Sequence, residues 1–143
     1  MQREVIGRDR FVLAAPRKHP LAKPSRPANL GELRGAHLLL LDDGHCLRDQ
    51  ALAVCAGART EELAFRATSL PTLAQMVSAG AGVTLLPRMA VATESRRAHL
   101  AVRPISDDRA FRTLALVWRP TTPSGPALRQ LAATIRASYE KMT

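Results

Sequence analysis

Short apolar runs alternate with stretches of helical spacing along nearly the whole chain, and Pro or Gly marks most of the changes. That alternation restricts the chain to an α/β architecture, with a sheet expected to be largely parallel. Phe11–Ala15 reads as a strand ended by Pro16, and the Pro-, Lys- and Arg-rich stretch to Asn29 as a surface loop. Asn29 suits the cap of a short turn at Leu30–Leu33. His37–Leu41 is a continuous apolar run closed by Asp42-Asp43-Gly44, hence a buried strand feeding a tight turn. A helix follows from Cys46 to Ala56, ended by Gly57.

Farther on, Phe65–Thr68 reads as a short strand. Ser69 caps a helix with Pro71 in its first turn and Leu73, Met76 and Val77 on its apolar face. Val83–Leu86 is a strand stopped by Pro87, and a short helix runs through Met89–Val91. Leu100–Ile105 and Thr113–Trp118 are two further strands. Ala127–Met142 carries Leu128, Leu131, Ala132, Ile135 and Tyr139 at helical spacing. No internal repeat or low-complexity segment interrupts this order.

At 143 residues and 46% hydrophobic, the chain suits one compact domain or a two-lobed unit. No run reaches the roughly 18 apolar residues of a membrane span. The start, Met1-Gln2-Arg3-Glu4, lacks a secretory core, so the cytoplasm is the default location. The net charge of +9 comes from 21 Lys and Arg against 12 Asp and Glu. These cations are scattered from Arg3 to Lys141 without a dense cluster, which fits a solvated basic surface better than a nucleic-acid groove. An aromatic content of 3% also argues against a platform for stacking bases. No metal or cofactor motif is present.

Two cysteines cannot form a secreted disulfide scaffold. Cys46 and Cys55 bound the segment Cys46-Leu47-Arg48-Asp49-Gln50-Ala51-Leu52-Ala53-Val54-Cys55. In a helix, Leu47, Ala51, Val54, Cys55 and Ala58 share one face, so Cys55 joins the buried stripe while Cys46 points to the opposite side. Nine residues of helix rise roughly 13 Å, whereas bridged cysteines need Cα atoms within about 7 Å. If the pair bridges, the helix must therefore unwind. Cys46 stands near a helix N-terminus, whose partial positive charge favours a thiolate, with His45 beside it and Arg48 close; Asp42, Asp43 and Asp49 oppose this. The residues alone leave two readings open, a reactive thiol with its resolving partner or two inert buried thiols.

Gly44-His45-Cys46-Leu47-Arg48-Asp49-Gln50, closed by Cys55, resembles the redox-loop motif of the OxyR regulators within the LysR-type family. Arg66-Ala67-Thr68-Ser69-Leu70, Met76-Val77, Gly80 and Gly82-Val83-Thr84-Leu85-Leu86-Pro87 resemble the stretch that follows in that family. His19-Pro20-Leu21-Ala22 matches the broader LysR effector-domain pattern. The likeness runs nearly end to end.

The resemblance implies a periplasmic-binding-protein-like LysR effector domain. Residues 10–111 would be a complete second lobe carrying the redox cysteines, and 1–9 with 112–143 part of the first. It makes Cys46 the peroxidatic cysteine, oxidised by hydrogen peroxide to a sulfenic acid, and Cys55 the resolving cysteine that condenses with it. Reductants of the glutaredoxin or thioredoxin type reset the pair. Gly44, His45, Asp49 and Arg112 match the peroxide pocket, Arg112 as the group that stabilises the Cys46 thiolate. Each has a plainer role open to it: a turn residue, a first-turn dipole partner, a surface charge.

By the same resemblance, DNA would be reached only through an N-terminal helix-turn-helix that this chain does not contain. A homodimer is a further expectation, although family dimers use both lobes. The missing first-lobe elements suggest a truncated reading frame. They also predict an uncovered apolar face on the final helix. Three alternatives follow: an inactive remnant of a regulator, a thiol peroxidase, and a domain binding a small organic effector at Thr68 and Ser69.

Overall fold

A computed structural model describes residues 1–58 and 60–143, with the side chains of residues 63–65 outside the description. Among the described residues, six strands and four helices follow in the order β1 (Gln2–Pro16), β2 (His37–Leu41), α1 (Cys46–Cys55), β3 (Glu61–Ala67), α2 (Leu70–Ser78), β4 (Thr84–Pro87), α3 (Arg88–Arg97), β5 (Leu100–Pro104), β6 (Phe111–Trp118) and α4 (Gly125–Met142). Two single-turn 3₁₀ segments, Pro20–Ala22 and Leu30–Leu33, lie in the connection from β1 to β2. The chain divides into two units, Arg10–Phe111 and a discontinuous one made of Met1–Asp9 and Arg112–Thr143.

In the larger unit, β1 lies between β4 and β5 and is antiparallel to both. β2 and β3 are parallel, with a register shift between Leu38 and Leu40. Val83, just before β4, forms a parallel bridge with Leu38, which ties β2 to β4. The expected largely parallel sheet is therefore mixed. Helical crossovers do give β2, β3, β4 and β5 one common direction. β1, however, enters from outside that series and runs the other way between two of its members.

Strand alternation divides the core in two. Phe11, Leu13, Ala15, Leu38, Leu40 and Leu85 face one layer with Ala51 and Cys55 of α1. Val12, Ala14, Leu39, Leu41 and Leu86 face the other, covered by Leu73, Ala74 and Val77 of α2. Thr84, buried between strands, donates its hydroxyl to the Leu39 carbonyl at 2.7 Å.

Two elements are longer than their residues suggest. β1 begins at Gln2, not Phe11, and α3 covers ten residues where a short helix through Met89–Val91 is expected. Both extensions are polar and mostly exposed, so hydrophobic periodicity does not mark them. The turn at Leu30–Leu33 carries a full capping box, with the Asn29 side chain accepting from the helix and Glu32 accepting from the Asn29 amide.

In the smaller unit, β6 pairs with β1, and α4 packs Ala132 and Tyr139 against Ile6, Leu114 and Leu116. Gly7 is required here, because a Cβ at that position would stand 2.5 Å from the Tyr139 ring. The expected uncovered face of α4 is only part of its apolar surface. Leu131, Ile135 and Met142 are exposed, whereas Ala132 and Tyr139 are buried.

Candidate functional site

The segment from Asp42 to Cys55 is built as turn and helix. Gly44 has φ +90, a left-handed conformation open to glycine at little cost, and it turns the chain from β2 into α1. His45 is the N-cap residue, and its side chain makes no capping bond. Cys46 is the first helical residue and Cys55 the last. The two thiols are free, Cys46 exposed and Cys55 buried. Burial pushes the Cys55 pKa up to about 11, which keeps it a neutral thiol in the folded chain.

Both ends of the cysteine segment thus belong to one regular helix. Its nine-residue separation, roughly 13 Å along the axis, rules out a bridge while α1 stands. The helix docks on the stripe that periodicity selects, with Arg48 added to it. Its buried residues are Arg48, Ala51 and Cys55, while Leu47 and Val54 are only partly buried.

Arg48 is the residue that sequence reasoning misplaces. Its guanidinium is turned to the Leu41 carbonyl and to two carboxylates. Nη1 donates to the Leu41 carbonyl at 3.2 Å, Nη2 to Glu62 Oε1 at 2.6 Å, and Nε lies 3.0 Å from Asp43 Oδ1. Glu62, then desolvation and the nearby carboxylates, set its proton affinity, with a net rise. Arg66 also pairs with Asp43 and lies 3.6 Å from Glu62. A network of two arginines and two carboxylates therefore ties the first turn of α1 to β3. The only sequence signal for it is an arginine two residues after a cysteine and acids on the next strand.

Of the other expected pocket residues, Asp49 is exposed in the first turn of α1. Arg112 lies on β6 in the smaller unit, where its Nη2 is 2.9 Å and its Nε 3.0 Å from Oδ2 of the fully buried Asp9 side chain. Among the effector candidates, Thr68 is exposed, and Ser69 accepts from the Thr72 amide at 3.3 Å as the cap of α2. The described residues contain no cluster of ligating side chains that could hold a metal.

The sequence pattern of the LysR substrate binding domain family matches residues 1–140. A "Hydrogen peroxide-inducible genes activator" of Pectobacterium carotovorum is 48% identical over 126 residues, covering 87% of this chain and 41% of that protein. Crystal structures of the reduced and oxidised forms of OxyR superpose with TM-scores of 0.81 and 0.76, at 40% and 43% identity. Each covers 95% of this chain, which spans 63% and 64% of those two chains respectively. This chain thus spans about two fifths of the curated relative. On the match to residues 1–140, the chain belongs to the LysR substrate-binding domain family, and its relatives there include the regulatory domain of OxyR.

Proposed function

We propose that the chain is the regulatory domain of a peroxide-responsive LysR-type transcription regulator, and that Cys46 and Cys55 are its switch. The observation that carries this reading is one helix bounded by an exposed thiol at its start and a buried, neutral thiol at its end. Hydrogen peroxide is the oxidant. The Cys46 sulfur attacks one peroxide oxygen, the O–O bond breaks, and the products are a sulfenic acid and water. The Cys55 thiol then displaces the sulfenic oxygen, which leaves as a second water, and the S–S bond forms. A thiol reductant of the glutaredoxin or thioredoxin type returns both sulfurs to thiols by exchange.

In this reading Arg10–Phe111 is the second effector lobe, and Met1–Asp9 with Arg112–Thr143 belongs to the first. Gly44, His45 and Asp49 are the proposed peroxide-pocket residues of the larger unit; within the smaller unit, Arg112 is the proposed charged residue, and its pair with Asp9 holds the guanidinium in place. The domain acts as a sensor and not as an enzyme. It works in the cytoplasm, as a homodimer, on a regulator that reaches DNA through a separate helix-turn-helix.

Stoichiometric peroxide added to the reduced chain, followed by peptide mapping, tests the proposal. One Cys46–Cys55 disulfide per chain is expected, with one turnover only in the absence of a reductant. Cysteines that stay reduced would overturn it, and sustained peroxide consumption with a thiol reductant would make the chain a peroxidase.

A further inference from the structure

α1 is held to its unit by unusual means for a buried helix. Its buried residues are an arginine, an alanine and a cysteine, with Leu47, Leu52 and Val54 only partly buried, and the alanine contributes little apolar area. Beneath it lies a cavity of about 10 Å³, lined by Leu41, Leu47, Arg48, Ala51, Leu73 and Thr84 among others. That space is about one water probe, so the contacts of its lining are incomplete. The helix also carries a buried acceptor, Gln50 Oε1, without a hydrogen-bond partner among the described residues. Such an acceptor favours opening, because water would satisfy it.

Against these weak points stands the charge network. The Arg48 side chain is 8% exposed, and it holds the Leu41 carbonyl, Asp43 and Glu62 together. Removing one partner of a buried ion pair leaves the other charge uncompensated, which is costly. Opening α1 separates Arg48 from all three partners at once. The loss is greatest at Glu62, which makes the 2.6 Å charge-assisted bond.

We propose that the Asp43–Arg48–Glu62–Arg66 network is the latch that sets how readily α1 opens, and so how readily Cys46 and Cys55 can meet. Its link to the disulfide rests on the redox reading above; its control of α1 does not. Arg48 is a positioning residue, acting through the helix that carries both sulfurs. Cys55 reports on the latch directly, since its thiol is 4% exposed and reacts only when the helix opens.

Iodoacetamide labelling of the reduced, full chain, read thiol by thiol from peptides, tests the latch without peroxide. Glu62→Gln should speed Cys55 labelling roughly tenfold, the equivalent of one lost charge-assisted bond. Asp43→Asn, which removes the exposed partner, should speed it less. Exposed Cys46 should label at the wild-type rate in Glu62→Gln and serve there as the internal reference. Glu32→Gln, which breaks an ion pair elsewhere in the same unit, should leave Cys55 unchanged. The latch is overturned by unchanged Cys55 labelling in Glu62→Gln and Asp43→Asn, or by equal acceleration in Glu32→Gln. A wild-type chain that labels as expected but forms no disulfide with peroxide sinks the redox reading and leaves the latch standing.

Discussion

Cys55 has the burial that the proposed resolving thiol needs while it is reduced. Its burial also makes folding sensitive to alkali. The folded pKa, about 11, lies above the ordinary value of 9.0. The unfolded chain therefore loses this proton first, so the stabilisation is complete below about pH 9 and is lost as pH rises through about 11. Urea melts across that window should show the stability gap between wild type and Cys55→Ala shrinking by roughly 2 kcal/mol. A constant gap would mean that the thiol is not buried as described. Cys46, by contrast, is exposed and meets no such barrier to solvent. The opposite exposure of the two cysteines was legible from helical spacing, as was the turn at Gly44 from Asp42-Asp43-Gly44. The burial of Arg48 was not, because arginine at helical spacing reads as a surface residue, and its partners lie on β3 and in the preceding turn. The pairing of Arg112 with Asp9 was equally hidden, since it joins positions far apart in sequence through β6 and β1.

At the level of elements, the local signals worked where apolar pattern and chain punctuation agree. α1 and α2 lie within a residue or so of the expected bounds, because turn, cap and apolar stripe mark their limits. β1 and α3 were cut short where their residues are charged and their stability comes from neighbours. The direction of β1 could not be read locally at all, since strand pairing is a long-range choice. The capped turn at Leu30–Leu33 shows local and distant signals acting together. Glu32 accepts from the Asn29 amide and pairs with Arg26 and the buried Arg103, whose Nη1 lies 3.1 Å away. Arg103 in turn donates to the Leu21 and Arg26 carbonyls, so the long surface connection is pinned to β5. The backbone bond from Asn29, then Arg26 and Arg103, hold the Glu32 pKa down to about 2. A lowered carboxyl pKa stabilises the fold above the ordinary value of 4.5, and that stability is lost as pH falls through about 2. Glu32→Gln is expected to cost about 2 kcal/mol at neutral pH, with the wild type converging on it as acid is added. Thermal melts at pH 7 and pH 3 measure both values, and an equal difference at the two would count against this account.

For the whole molecule, the division into Arg10–Phe111 and Met1–Asp9 with Arg112–Thr143 places both cysteines in one unit. The helix that separates them is also the layer that closes one side of that unit's core, beside Leu40 and Leu85. Under the proposed switch, oxidation would therefore not stay a local event. Drawing Cys55 toward Cys46 would remove a buried residue from the core and pull Arg48 away from its carboxylates. No helix among the described residues is long and apolar enough to cross a membrane. Peptide-resolved hydrogen exchange of residues 46–55, followed while peroxide is titrated into the reduced chain, tests the coupling most directly. The account predicts that amide protection across α1 disappears in step with the Cys46–Cys55 disulfide, while protection in α2 persists. A disulfide formed with α1 protection intact would contradict it.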